Sequence, residues 1–294
     1  MNLSPEDRKF VVLADRGVLA IGGPERASFL QGVISNDTTK IGPERAIYAA
    51  LLTAQGKYLH DFILVEHDEA IWLDGEAARL ADLKRRLTMY RLRAKVTIDE
   101  QADLAVAAIF GGAATDEPGA AETLGDGVML IDPRLAALGA RAILRRDTIR
   151  ATLRDRGAVE GDFAGYDRLR LELGVPDGSR DLALDKSILL ESGFEELNGV
   201  DWNKGCYIGQ ELTARTKYRG LIKKRLFPVR IDGPAPEAGD IITLDGHEAG
   251  EMRSSRDGVG LALLRLEAVA GGGALIAGNA RILPVTPDWV RLPD

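Results

Sequence analysis

The sequence predicts an α+β protein with a ferredoxin-like N-terminal region and a small C-terminal β-barrel. Before about residue 175, strands followed by a helix occur twice, a pattern typical of such an α+β layer. After about residue 222, short strands separated by glycine, proline or aspartate turns favour a barrel or sandwich. We therefore expect an N-terminal region at 1–222, with an inner subdomain at about 46–145, and a barrel domain at 223–294.

The first half of the chain shows clear strand and helix patterns. "FVVLADRGVLAIGG" (10–23) reads as a β-hairpin that turns at Asp15-Arg16-Gly17, and "PERASFLQG" follows as a helix. An amphipathic helix is expected from about Glu76 to Tyr90, where apolar residues recur at helical spacing. Strands are expected at 46–53, 58–66 and 70–74, in "LRAKVTID", at 104–110, and in "VMLID" and "ARAILRR". A loop is expected at 111–127, and helices at 147–156 and 161–173.

Composition limits the possible functions. The formal net charge of −7 argues against general attraction to nucleic acid or anionic membranes, although a local basic patch would escape this argument. The first ten residues are too charged for a secretory signal, and no apolar run approaches the roughly 18 residues that span a bilayer. With one cysteine and three scattered histidines, neither a disulfide nor a protein-only metal site is expected. The expected location is the cytoplasm.

The cysteine lies in "NKGCYIGQE" (203–211), the most unusual stretch of the chain. Closely spaced glycines make the segment around it an ordered loop rather than a regular element. In such a loop, the charge of Lys204 would favour the reactive thiolate of Cys206. The alternative is that Cys206 is a small buried residue and Lys204 a surface charge. The residues alone leave both interpretations open.

A family resemblance favours the reactive interpretation. Lys-Gly-Cys-Tyr-Ile-Gly-Gln-Glu at 204–211 resembles the signature of the YgfZ family, folate-binding proteins related to the glycine cleavage T protein. Three further stretches resemble the same family in the same order: "FLQGVISND" (29–37), "AALLTAQGKYLHDFIL" (49–64) and "DRLRLELGVPDGSRDL" (167–182). The resemblance implies a T-protein-like fold arranged around a central opening that receives tetrahydrofolate.

The resemblance also implies a set of folate-binding residues. Glu172 matches the glutamate that contacts the pterin, and a carboxylate can accept two N–H donors from a pterin edge. Tyr166 occupies the place of an aromatic ring that covers the pterin face, and Arg225 is the nearest match to an arginine that holds a folate carboxylate. The alternatives are a solvated helix residue for Glu172 and a core or surface tyrosine for Tyr166.

One departure from the T-protein pattern separates two functions. T proteins carry two adjacent aspartates where this chain has His60-Asp61, and they lack the cysteine of the signature. We therefore predict a tetrahydrofolate-binding accessory factor for iron–sulfur cluster assembly or repair, with Cys206 and Lys204 as the working groups. Its partners would be iron–sulfur clients or assembly proteins, including tRNA-modifying enzymes, without direct binding to nucleic acid or membrane. The alternative is a folate-dependent aminomethyltransferase or other one-carbon transferase, in which Asp61 is a further folate-binding residue and works at the folate.

Overall fold

The computed structural model describes residues 8–112, 116–220 and 222–292. Residues 113–115 of the expected loop at 111–127 lie outside the described residues. Contacts divide the chain into two units, each assembled from separate segments. The first unit comprises 1–52, 59–166 and 197–208, and the second comprises 53–58, 167–196 and 209–294.

In its described residues, the first unit contains two β-sheets and three complete helices, and only the first residue of its strand β4 belongs to the second unit. Its strands are β1 (Lys9–Leu13), β2 (Arg16–Gly22), β3 (Ile47–Leu52), β4 (Tyr58–His67), β5 (Ala70–Glu76), β6 (Thr97–Glu100), β7 (Leu104–Phe110), β8 (Ala121–Leu124), β9 (Gly127–Ile131), β10 (Ala140–Arg145) and β11 (Val159–Glu160). Its helices are α1 (Arg26–Gln31), α2 (Leu80–Arg91) and α3 (Ile149–Asp155), and α4 (Phe163–Glu172) continues into the second unit. The sheets have the orders β3-β4-β5-β2-β6 and β11-β1-β7-β10-β9-β8.

The first two strands correct the predicted hairpin at 10–23. β1 pairs with β7 and β11, whereas β2 pairs with β5 and β6, so the two strands belong to different sheets. Arg16 is the first residue of β2 rather than part of a turn. The prediction was wrong because a short turn between two apolar runs also fits a chain that crosses from one sheet to another.

Burial of apolar side chains holds the five-stranded sheet and α2 together. Leu80, Leu83 and Leu87 recur at helical spacing on α2 and join the core cluster of this sheet. The helix begins at Leu80, after a 3-10 turn at Ala77–Arg79, a few residues later than the sequence predicts. The buried face fixes α2, and its opposite face is left to solvent.

The second unit contains the C-terminal barrel. Its helices are α5 (Gly178–Asp181), α6 (Gln210–Tyr218) and α7 (Leu266–Ala270). Its strands are β12 (Lys224–Asp232), β13 (Ile241–Leu244), β14 (His247–Arg256), β15 (Val259–Arg265), β16 (Leu275–Ala277) and β17 (Ala280–Pro284). They close in the order β12-β15-β14-β13-β16-β17 around Phe227, Ile242, Met252 and Leu264. The predicted small barrel is confirmed.

Two further elements differ from the prediction. The strand expected in "LRAKVTID" is limited to β6, and the expected loop at 111–127 contains the strand β8. Both strands are only four residues long. β6 pairs with β2, which is distant in the sequence, and β8 pairs with β9, which follows it after a turn. Across the described ranges, no helix combines the length and apolar character needed to cross a membrane.

Candidate functional site

The cysteine segment exposes its thiol-bearing residue. Cys206 is exposed and lies between Gly205 and Tyr207, in an irregular stretch that ends where α6 begins. Tyr207, in contrast, is buried, so the segment is anchored on one side of the cysteine. The alternative that Cys206 fills the core is therefore excluded.

Lys204 anchors this segment to the turn after α1. Its Nζ donates to the carbonyl oxygens of Gln31 at 2.8 Å, Ile34 at 2.5 Å and Asn36 at 2.8 Å, and it lies 5.0 Å from the ring centroid of Tyr207. An ammonium has three N–H donors, so these carbonyls use all of them. The sequence predicts an electrostatic role for Lys204 toward Cys206, and the contacts add a structural role that the sequence did not suggest.

Burial changes the titration of Lys204. It lowers the pKa of this ammonium to about 8, while the carboxylates of Asp37 and Asp201 act in the opposite direction. The neutral amine has only two N–H donors, so the full set of three carbonyl contacts requires the charged form.

Asp201 orders the backbone that leads to the cysteine. Its Oδ1 accepts from the backbone N–H groups of Asn203 at 2.7 Å and Lys204 at 2.9 Å, and its Oδ2 accepts from Lys40. Although burial opposes it, the Lys40 ammonium and these N–H groups keep the pKa of the Asp201 carboxyl below its usual value. The Asp201 N–H in turn donates to the carbonyl of Ser35 at 3.1 Å.

The "FLQGVISND" stretch supplies the other half of this anchor. The Ser35 hydroxyl donates to the carbonyl of Gly199 at 2.6 Å, and Asn36 Nδ2 donates to the carbonyls of Asn198 and Tyr48. Sequence reasoning found this motif by resemblance alone. In the structure, the carbonyls and polar side chains of this stretch bind the segment that carries Cys206.

Asp61 is buried and already engaged. It lies on β4, is 6% exposed, and its Oδ2 accepts from the Tyr48 hydroxyl at 2.9 Å. Burial and the neighbouring carboxylate raise the pKa of Tyr48 well above its usual value. The guanidinium of Arg134 lies 5.7 Å from the centre of the Tyr48 ring. Asp61 thus joins a buried polar network rather than an open pocket.

Tyr166 belongs to the same network. Its hydroxyl lies 3.2 Å from Arg141 Nη2 and 3.5 Å from Arg134 Nη2, and its ring packs on Phe110 with centroids 5.7 Å apart. Both arginines pair with the buried Asp132, at 2.7 and 3.0 Å. The core-tyrosine alternative therefore describes this side chain, which is 6% exposed. Its predicted role over a pterin face stays a prediction.

His60 occupies the position of the first of the two adjacent aspartates in the T-protein pattern. It is buried on β4, and its Nε2 lies 3.0 Å from Asp82 Oδ2 on α2. Burial and the nearby Arg79 guanidinium lower the pKa of His60 to about 4, so the ring is neutral at pH 7 and donates to the carboxylate. This histidine ties α2 to the sheet.

The two remaining site residues lie in the second unit and line different cavities. Glu172 is exposed, pairs with Arg168 at 2.9 Å, and borders a groove of about 720 Å³ with barrel residues. Arg225 is 2% exposed and borders a cavity of about 240 Å³, where Nη2 donates to Glu196 at 2.7 Å. The structure does not bring these two residues together. A ligand carboxylate would have to displace Glu196 to reach Nη2 of Arg225.

No protein-only metal centre is found in the described ranges, since no group of three or more His, Cys, Asp or Glu side chains is placed to hold an ion. Cys206 is therefore a single potential ligand. A cluster bound through it would need its other ligands from another molecule.

Comparison with known proteins places the chain in a family. Residues 223–292 match the family described as CAF17, C-terminal beta-barrel domain. The chain is 36% identical to the iron-sulfur cluster assembly factor IBA57, mitochondrial, of Mus musculus, with 94% of this chain and 84% of the mouse protein aligned. It is 38% identical to the Homo sapiens protein of the same name, with the same coverage of both chains.

A solved structure shows the fold. The glycine cleavage system aminomethyltransferase T from Bartonella henselae superposes with a TM-score of 0.78 over 97% of this chain and 86% of that chain, at 16% identity. The predicted α+β, T-protein-like fold with a C-terminal barrel is confirmed.

The predicted location is wrong, and the predicted family is confirmed in part. The mouse and human relatives are named mitochondrial, which contradicts the expected cytoplasmic location. A lone thiol fits any reducing compartment and does not single out the cytoplasm. The relatives also carry the name IBA57 rather than YgfZ. Since relatives above 30% identity align with nearly the whole chain, this protein belongs to the IBA57 family.

Proposed function

We propose that this protein is an accessory factor for iron–sulfur cluster assembly and that Cys206 is its working group. The observation that carries the proposal is the exposed thiol on a segment anchored by Lys204 and Asp201. The names of the curated relatives, iron-sulfur cluster assembly factors, support the same conclusion. A single thiolate can complete the ligand set of a cluster held by a partner, but it cannot store a cluster alone.

Alkylation of the native protein tests the accessibility of the thiol. Iodoacetamide should modify Cys206 in the native protein without denaturant. A thiol that reacts only after denaturation would contradict the proposal.

A folate-dependent one-carbon transferase is the second candidate, and Asp61 supports it. The position of His60 weighs against it, because this histidine pairs with Asp82 and does not replace the missing acid beside Asp61. An assay of methylenetetrahydrofolate formation from an aminomethyl donor separates the two functions. Activity that is lost in Asp61→Asn and retained in Cys206→Ala would favour the transferase.

Tetrahydrofolate is the small-molecule ligand that we propose, with Glu172 as its contact. Of the four predicted folate residues, Glu172 is exposed and also borders a groove. The walls of this groove include the apolar Leu171, Pro228 and Val259. Apolar walls beside the Glu172 carboxylate suit a flat ring that offers two adjacent N–H donors, and Asp232 and Asp257 also line this groove. When bound, the folate would supply its one-carbon chemistry.

Titration calorimetry with tetrahydrofolate tests this contact. Removing a charged acceptor costs about 1.5–3 kcal/mol, so Glu172→Ala should weaken binding about tenfold to a hundredfold. Arg168→Ala is the matched control, because it removes the ion-pair partner of Glu172 and leaves the carboxylate. Equal affinity of Glu172→Ala and the parent protein would exclude the contact.

We propose that the clients include tRNA-modifying iron–sulfur enzymes. The protein would reach these enzymes through protein partners rather than by binding RNA. The net charge of −7 supports this indirect route. Modified nucleosides from total tRNA of a deletion strain are the measurement. Normal levels of nucleosides made by iron–sulfur enzymes would remove these enzymes from the set of clients.

A further inference from the structure

The end of α2 exposes three large apolar side chains within one helical turn. Met89 is 63% exposed, Tyr90 is 37% exposed and Leu92 is 86% exposed. Earlier in the same helix, Leu83 and Leu87 are buried. The apolar side chains are therefore displayed on a helix that is fixed in position.

Positive charge surrounds these side chains. We call residues 84–95 the basic tip, and its cations are Lys84, Arg85, Arg86, Arg91, Arg93 and Lys95. The tip itself contains no acidic residue. Asp82 pairs with Arg85 and Arg86, and Glu25 accepts from the Lys95 backbone N–H. Among the described residues, no ion pair involves Lys84, Arg93 or the Lys95 side chain. Six cations thus face two carboxylates in a chain whose net charge is −7.

Leu92 is held in an unfavourable backbone conformation. Its φ is 47° and its ψ is −107°, a region that bulky side chains rarely adopt. Since the side chain is almost fully exposed, the fold gains little apolar burial from having leucine there. Glycine would suit this backbone better, so the leucine points to a contact outside the folded chain.

We propose that the basic tip binds the anionic surface of a lipid membrane. Met89, Tyr90 and Leu92 insert into the region between headgroups and acyl chains, and the surrounding cations contact lipid phosphates, as in peripheral amphipathic segments. The combination of Lys and Arg with large exposed apolar side chains is typical of segments that lie in a lipid interface. The exposed leucine and methionine favour lipid over nucleic acid, which uses aromatic stacking and phosphate contacts.

Vesicle sedimentation with the full-length chain tests the proposal. The two probes are vesicles of 70% phosphatidylcholine with 30% phosphatidylglycerol, and vesicles of pure phosphatidylcholine. We expect binding to the anionic vesicles that weakens as salt is raised, because screening shortens the reach of surface charge. Each cation near an anionic surface contributes about 1 kcal/mol, so Arg93→Glu with Lys95→Glu should lower partitioning by at least about tenfold.

The matched control changes the same charge elsewhere. Arg230→Glu with Arg281→Glu alters two exposed cations of the barrel by the same amount. This control should retain binding within about twofold. Equal binding of the parent protein to both vesicle types, or an equal loss in the control, would overturn the proposal.

Leu92→Gly separates membrane contact from folding. Glycine adopts this backbone conformation without strain, so the variant should be at least as stable to heat as the parent. It should nevertheless lose about tenfold in vesicle partitioning, because the inserted apolar side chain is gone. Unchanged partitioning would overturn the proposal. So would tip variants that weaken binding to a single-stranded oligonucleotide or to an acidic protein while leaving vesicle binding intact.

Discussion

Replacing Lys204 with methionine removes the ammonium that joins the cysteine segment to residues 31–36. Three carbonyl oxygens then lose their donor. A buried acceptor left without a partner costs about 1–3 kcal/mol, and water can reach part of this half-buried site. We therefore expect the segment to be destabilised by about 2–4 kcal/mol.

Hydrogen exchange measures this loss where it occurs. The N–H groups of Asp201 and Asn203 donate within the anchor, to Ser35 and to the Asp201 carboxylate. In Lys204→Met their protection should fall by about thirtyfold to a thousandfold, which corresponds to the expected free energy.

Lys40→Met is the matched control for Lys204→Met. It removes another lysine contact of the same segment, but the Lys40 side chain is 54% exposed, and exposed pairs contribute at most about 1 kcal/mol. Protection should therefore fall by no more than about fivefold. If Lys204→Met stays within twofold of the parent, or if Lys40→Met has the larger effect, Lys204 is not the anchor that the contacts indicate.

Two further predictions concern a buried histidine and a close backbone approach. The folded-state pKa of His60, about 4, lies below its unfolded value of about 6.5, so the unfolded chain binds more protons in this window and stability falls as the pH is lowered. Between pH 7 and pH 4 the parent protein should lose about 3 kcal/mol more than His60→Asn, as measured by urea unfolding; parallel pH profiles would contradict this. Gly56 has a φ of 78°, and a Cβ there would lie 2.7 Å from the Gly209 carbonyl oxygen and 2.6 Å from Leu212 Cβ, so Gly56→Ala should lower stability by at least about 2 kcal/mol. Gly205→Ala meets no atom within 4 Å and should cost less than about 1 kcal/mol; equal unfolding midpoints for the two variants would contradict the packing argument.

Local patterns in the sequence predicted most elements, and long-range pairing accounts for the wrong hairpin. The strand expected at 104–110 matches β7 at both ends, because a continuous apolar run marks a buried strand. The hairpin at 10–23 failed because the partners of β1 and β2 lie far along the chain. No periodicity in a short segment contains that information.

The candidate site, too, could be predicted only in part from local sequence patterns. Cys206 could be found because it is the sole cysteine and is flanked by glycines. The anchor of its segment could not be derived from spacing, since the Lys204 contacts reach carbonyls about 170 positions earlier. Similarly, the His60 partner Asp82 lies on a helix whose position is set by packing onto the sheet.

Genetic rescue tests the central claim most directly. A strain that lacks its own gene of this family is complemented with the parent chain, with Cys206→Ala or with Gly205→Ala, and iron–sulfur enzyme activities are measured at matched protein levels. Cys206 is exposed, so its replacement should leave the fold intact. We predict that the parent and Gly205→Ala restore these activities and that Cys206→Ala does not. Full restoration by Cys206→Ala would contradict the claim that this thiol is the working group.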